Sequence, residues 1–145
     1  MIKSICMVFL VLFTTITIAQ NKSDIDSLYQ VNNFLLDIRS TVNLKKWNGA
    51  QQLIKVEQLI EKGKGYETQF PLWLKTVIRE DSWHSIEMKR QFTLILQTLA
   101  LYKSDLKMLQ NKRPTNQEEL EYLNRKIPKL VYTIYYYCKL AEEER

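Results

Sequence analysis

The longest uninterrupted pattern in the chain runs from Ser82 to Asn111, a segment that contains neither glycine nor proline. Within it, apolar residues recur at alternating four- and three-residue steps: Met88, Phe92, Ile95, Leu99, Tyr102, Leu106 and Leu109. Such spacing places these side chains on one face of an α-helix. A second apolar line follows another side of the same helix: Trp83, Leu94, Leu101 and Met108. The pattern therefore predicts a helix about 45 Å long that packs between neighbours.

The segment after this helix predicts another helix of similar length. Thr115 and Glu118 have the spacing of a capping box, which starts a helix. The core stripe then extends to about Glu144 through Leu120, Leu123, Ile127, Leu130, Ile134, Tyr137 and Ala141. Pro128 lies inside this stripe and lacks a backbone N–H, which predicts a kink over residues 124–128. Because only a short loop joins the two long helices, we expect an antiparallel hairpin.

The first half of the chain predicts two shorter helices that pack across this hairpin. One covers residues 24–43, with its apolar face formed by Leu28, Val31, Leu35, Ile38 and Val42. The other covers residues 50–62, where Gly63 and Gly65 are expected to end it. Since the chain has only three Gly and three Pro, it has few turns. The expected fold is all-α, a four-helix bundle with or without a short fifth helix.

Residues 64–81 leave two interpretations open. Pro71 suits the first position of a short helix that would extend to Glu80. The alternative is an irregular loop packed by Phe70 and Trp73.

The first nineteen residues predict a cleavable signal peptide. Lys3 precedes an uncharged, mostly apolar run over residues 7–18, and Thr17 and Ala19 occupy the small-residue positions of a cleavage site. The run is shorter than the roughly 20 residues that a membrane-spanning helix needs, although an uncleaved anchor is the alternative. We therefore expect an exported protein, periplasmic or extracellular, with a mature domain of residues 20–145 and no stable membrane span.

Charge and motifs exclude several functional classes. The net charge is +5 for the whole chain, and it is spread among residues of both signs, which fits nucleic acid poorly. Phosphate-binding glycine loops and a serine nucleophile motif are absent from the sequence. Cys138 is the only cysteine left after cleavage, so no internal disulfide is expected. It suits a buried core position better than catalysis with His84 or pairing with another chain.

Metal and haem chemistry have little support. Asp81 and His84 share a helical face, and they are weak candidates for a metal site because His84 is the only histidine. The sequence has no haem-attachment motif, and the axial candidates His84, Met88 and Met108 all fall on one helix. We therefore expect no cofactor and no enzymatic activity.

The tyrosine-rich segment 131–138 is the most unusual feature. Tyr132 and Tyr136 face away from the predicted core, flanked by Lys129 and Lys139. Exposed tyrosines beside lysines make an amphipathic contact patch of the kind that interfaces use. Alternatively, the first helix or residues 64–81 cover these rings, and tyrosines also fill bundle cores.

These observations favour a non-enzymatic interaction module. It would bind an unidentified protein partner, or a second copy of itself, through Tyr132 and Tyr136. The alternative is a carrier of a small molecule or metal in a kinked bundle. Its pocket would be lined by Trp83, Phe92, Tyr135 and Tyr137.

Overall fold

The structure is a computed structural model that describes the backbone of residues 2–43, 49–113 and 117–144, and side chains in these ranges from residue 17 onward. The described residues form four helices: α1 (Ile2–Val42), α2 (Gly49–Leu74), α3 (Trp83–Gln110) and α4 (Glu118–Glu143). Helices α1 and α3 each pack against α2 and α4, so α1 and α3 lie on one diagonal of the bundle. The predicted all-α four-helix bundle is confirmed.

Contacts along the seam between α3 and α4 show that these two helices are antiparallel. His84 near the start of α3 contacts Tyr137 near the end of α4, while Asp105 near the end of α3 lies beside Glu119 at the start of α4. The predicted hairpin of the third and fourth helices is therefore present.

Helix α3 has nearly the predicted bounds. The Ser82 side chain caps it by accepting a hydrogen bond from the Ser85 N–H at 3.1 Å, and Asn111 is its C-cap. The predicted core line is buried up to Leu106. The second line differs from the prediction, because Trp83, Leu101 and Met108 are exposed although α3 lies between two neighbours.

Helix α2 corrects the predicted helix end at Gly63 and Gly65. It continues through both glycines to Leu74, and no described glycine has the positive φ of a helix-ending residue. Gly63 is instead buried, and a Cβ atom there would lie 2.7 Å from Leu96 Cδ2. Glycine at this position lets α2 approach α3 closely, so α2 is not the short helix that the sequence suggested.

The segment after Leu74 contains turns instead of the predicted helix over residues 71–80. Pro71 lies in the last turn of α2, and Phe70 is buried with Trp73 packed beside the core. This part resembles the alternative interpretation. A hydrogen bond of 2.8 Å from Thr76 Oγ1 to Asp24 Oδ2 ties the turns to α1.

Helix α1 is continuous from Ile2 to Val42 and so includes the residues of the predicted signal peptide. Ile25 is the first residue of α1 in the described core, and Ile18 is exposed. Cleavage after Ala19 would therefore remove no described core side chain, and the signal peptide stays a prediction. Among the residues that the structure describes, no helix is long and apolar enough to cross a membrane.

Helix α4 begins at Glu118, with Gln117 at its N-cap and no side-chain cap. Thr115 of the predicted capping box lies outside the described residues. The helix is continuous through Pro128, where the kink stays a prediction. Its buried face ends with Cys138, whereas Tyr137, which the sequence placed in the core stripe, is only half-buried.

Candidate functional site

A groove of about 500 Å³ runs along the seam between α1 and α4. Its walls are mainly apolar, and Leu36, Tyr132 and Tyr135 are exposed along it. Its lining residues are Tyr29, Asn32, Asn33, Leu36, Arg39, Pro128, Val131, Tyr132 and Tyr135. The α1 side spans residues 29–39, about 15 Å of helix. This groove is long enough to contact about three turns of a helix.

Asn32 lies among the groove-lining residues with only 6% of its surface exposed. Its Nδ2 donates a hydrogen bond of 3.1 Å to the Val131 carbonyl on α4. Its Oδ1 is buried and has no hydrogen-bond partner among the described residues. An unsatisfied buried acceptor costs about 1–3 kcal/mol, and this free energy would be recovered if the Asn32 side chain turned to meet a donor supplied by a ligand.

Polar contacts between α1 and α4 lie near both ends of the groove. At one end the side-chain amides of Asn43 and Asn124 hydrogen-bond each other reciprocally. At the other end, Tyr29 Oη donates to Glu142 Oε1 at 3.0 Å. Burial, followed by this hydrogen bond, raises the pKa of Tyr29.

Lys139, predicted to flank the contact patch, is engaged within the protein. Its Nζ lies 2.7 Å from Glu142 Oε2 and near the rings of Tyr29 and Tyr135, at 5.9 and 5.7 Å from their centroids. Hydrogen bonding to Glu142 raises the pKa of Lys139 above its ordinary value. Lys139 therefore braces the end of the groove.

One cation lines the groove without such bracing, Arg39 on α1. Arg125 is exposed on α4, and Lys129, which was predicted to flank the contact patch, lines the cleft between α3 and α4 instead. None of the three forms a salt bridge with another described residue. The groove thus combines apolar walls with one lining cation, Arg39.

The two predicted contact tyrosines are both exposed but differ in surroundings. Tyr132 is 70% exposed and lines the groove. Tyr136, 47% exposed, makes an edge-on contact with Tyr137, whose ring lies 5.9 Å from that of His84 on α3. The two rings are thus exposed, as predicted, and the alternative, that the first helix or residues 64–81 cover them, is wrong.

The four predicted pocket residues are not brought together. Phe92 is 1% exposed and packs in the core between Phe34 and Phe70. Trp83 is 70% exposed, and Tyr135 and Tyr137 lie at different seams of α4. The prediction treated apolar residues of one hairpin as neighbours, although their helical angles send them to different faces.

Asp81 and His84 are both exposed at the start of α3. The Asp81 carboxylate binds Arg79 through two hydrogen bonds of 2.9 and 3.2 Å. The described residues contain no group of three or more His, Cys, Asp and Glu side chains suited to hold a metal. His84 instead borders a cleft of about 190 Å³ between α3 and α4.

Cys138 is fully buried, which confirms its interpretation as a small core residue. Burial raises the pKa of its thiol to about 12. Because the thiolate is the nucleophile, this thiol is unsuited to catalysis and to pairing with another chain.

An acidic pair lies away from the groove, where α3 and α4 approach their connecting turn. Burial, followed by the close approach of the Glu119 carboxyl, raises the pKa of Asp105 to about 6. Asp105 Oδ2 and Glu119 Oε2 are buried, without hydrogen-bond partners among the described residues. This pair stabilises the bundle least when both carboxyls are ionised.

Asp105→Asn is expected to raise the free energy of unfolding at pH 7 by about 1–2 kcal/mol, given about 1.4 kcal/mol per pKa unit and partial exposure. Folding raises the pKa of Asp105 from its ordinary value of 3.8 to about 6, so stability is greatest below pH 4 and falls as pH rises through 6. Urea unfolding between pH 4 and 7 measures this slope, which the variant should lose. The exposed Asp81→Asn is the control. An unchanged slope in Asp105→Asn would refute the assignment.

Sequence reasoning missed the α1 side of the groove, Tyr29, Asn32 and Leu36. One signal was available: Asn32 follows Leu28 by four residues and precedes Leu35 by three, so it shares their core-facing side. A polar residue on that side indicates a buried hydrogen-bonding group.

Searches against protein-family models, curated proteins and solved structures gave no significant match.

Proposed function

We propose that this protein is an exported, non-enzymatic binding module whose groove between α1 and α4 takes an apolar segment of a partner protein. The single observation that carries the proposal is the buried, unpaired Asn32 Oδ1 in a groove that exposed aromatic residues also line. A buried acceptor without a donor destabilises the free protein. Locally destabilising features of this kind are commonly found at sites that bind other molecules.

The chemistry of the groove defines the partner segment. Leu36, Tyr132 and Tyr135 favour apolar or aromatic anchors, since aromatic side chains supply much of the binding energy at interfaces. Asn32 Oδ1 favours a hydrogen-bond donor such as an amide, hydroxyl or indole N–H. Arg39 favours an acidic flanking residue. The best match is an acidic amphipathic helix laid along the groove.

A small-molecule or metal carrier remains the alternative function. The cleft at His84 and Met88 is where a small ligand would fit, but its volume of about 190 Å³ is below the usual range of about 300–1,000 Å³. The groove is larger, and its open apolar wall suits a polypeptide better.

Tyr132→Ser is expected to weaken peptide binding at least about tenfold, the loss of about 1.4 kcal/mol typical of an interface aromatic. Peptides displayed on phage would be selected on the full chain, and their affinities measured by isothermal titration calorimetry. Tyr136→Ser is the matched control, since this tyrosine is also exposed but contacts Tyr137 and is not among the groove-lining residues.

The proposal predicts recovered peptides with apolar anchors and acidic flanks, and a smaller effect of Tyr136→Ser than of Tyr132→Ser. Selection that enriches the same peptides on Tyr132→Ser as on the unchanged chain would contradict it. So would an equal loss of affinity in both variants, because Tyr136 lies outside the groove.

A further inference from the structure

The cleft of about 190 Å³ between α3 and α4 lies in a different seam of the bundle from the groove. The buried residues that line it are Met88 and Leu130, each 3% exposed, so its inner part is apolar. Its outer part is polar, because the lining residues His84 and Lys129 are exposed. The cleft therefore places a small apolar surface beside a charged entrance.

Two lysines of α4, Lys126 and Lys129, line the same cleft. Residues three apart share one face of a helix, where like charges repel each other. Neither lysine forms a salt bridge with another described residue. Lys126 Nζ lies 5.9 Å from the centroid of the Tyr122 ring, a contact that leaves its positive charge in place. An anion bound between the two ammonium groups would offset their repulsion.

The carboxylate of Glu87, which also lines the cleft, has other partners. It accepts hydrogen bonds of 3.0 and 3.1 Å from Arg90 and one of 2.7 Å from Gln91. These hydrogen bonds lower the pKa of Glu87, so the group is ionised at neutral pH. Its negative charge is matched by that of Arg90, and the charges of the two lysines remain uncompensated among the described residues.

We propose that this cleft binds a small organic carboxylate with an apolar body, of the size of benzoate. The carboxylate would lie between the ammonium groups of Lys126 and Lys129, and the apolar body would contact Met88 and Leu130. A protein cavity of about 150 Å³ holds one benzene molecule. A volume of about 190 Å³ therefore accommodates one ring and a carboxylate. An inorganic anion would satisfy the lysines but leave the apolar surface unused.

This site is independent of the proposed peptide groove. Lys129 lines the cleft on the α3 side of α4, whereas Tyr132 lines the groove on the α1 side. The inference thus goes beyond the proposed function, and the two have separate tests. Tyr132→Ser should weaken peptide binding and leave carboxylate binding unchanged.

Amide NMR titration of the full chain with sodium benzoate, up to about 50 mM at constant ionic strength, tests the ligand class. We expect saturable shifts concentrated in residues 84–91 and 126–133, with a dissociation constant of about 1–10 mM, since exposed lysines contribute weakly. Benzamide, which keeps the ring without the charge, and acetate, which keeps the charge without the ring, should each bind at least about tenfold more weakly. Equal affinity for benzamide or for acetate would overturn the proposal.

A pair of double variants tests the two lysines. Lys126→Gln with Lys129→Gln should raise the dissociation constant of benzoate at least about tenfold. Lys22→Gln with Lys89→Gln is the matched control, because it removes the same charge from two positions that do not line the cleft. An equal loss of affinity in both double variants, no saturation by 50 mM benzoate, or shifts concentrated outside the cleft would each contradict the assignment.

Discussion

Phe92→Ala is expected to lower the free energy of unfolding by about 3–5 kcal/mol, the usual cost of removing a buried phenylalanine. Phe92 is 1% exposed, and its ring centroid lies 4.6 Å from that of Phe70 and 6.5 Å from that of Phe34. One aromatic ring from each of α1, α2 and α3 thus meets at this point. Removing the central ring would leave a cavity at the point where three helices meet, and filling it would require all three helices to shift.

Urea denaturation followed by circular dichroism measures this loss, and Trp83→Ala is the comparison. Trp83 is equally apolar and lies on the same helix, but it is 70% exposed, so its replacement should change stability by no more than about 0.5 kcal/mol. Similar small losses for both variants would mean that Phe92 lines an accessible pocket, as the sequence first suggested, and would contradict its place in the core.

Gly63→Leu is expected to destabilise the bundle by about 1–3 kcal/mol, the range for overpacking a filled core. A Cβ atom at position 63 would lie 2.7 Å from Leu96 Cδ2 and 3.2 Å from Phe34 Cζ. Both distances are shorter than normal contacts, so the side chains of Leu96 and Phe34 would have to shift, and the rest of the leucine side chain would overfill the space between the helices. This cost exceeds the gain of roughly 1 kcal/mol from replacing glycine within a helix.

Gly65→Leu provides the control two residues along the same helix. A Cβ atom there meets nothing within 4 Å, so only the gain in helix propensity applies and stability should rise. Opposite signs for the two variants are the expected result of thermal unfolding. Stabilisation by both would mean that α2 does not approach α3 closely at Gly63.

The sequence predicted best where periodicity is long and uninterrupted. The bounds of α3 follow from thirty residues with one repeating apolar spacing and from Ser82 as its cap. The hairpin with α4 follows from the short connection and matching lengths. Both inferences need only local pattern and chain connectivity, which a single sequence contains.

The errors arose where a residue has two structural uses. A glycine such as Gly63 is typical of a helix end, but here it leaves room for a neighbouring helix. The sequence alone does not distinguish these two roles, because the second depends on the helix packed against it. The second apolar line of α3 could be covered or exposed, which depends on where the other helices lie. The pocket prediction failed for the same reason, because Phe92 and Trp83 face different directions on one helix.

The candidate site could be predicted only on its α4 side. Helical angles placed Tyr132 and Tyr136 away from the core, and both are exposed. The groove itself is formed by two helices far apart in the chain, so the pairing of Asn32 with the Val131 carbonyl needs tertiary structure. The same holds for Lys139, whose contacts with Tyr29 and Glu142 remove it from the set of free cations.

Amide NMR shifts of the full chain, titrated with an acidic amphipathic peptide recovered by selection, test the proposed groove most directly. We predict saturable shifts concentrated in residues 29–39 of α1 and 128–135 of α4, with Asn32 and Tyr132 among the largest. Shifts concentrated instead at the cleft beside His84, or on the outer face of α3, would contradict the account.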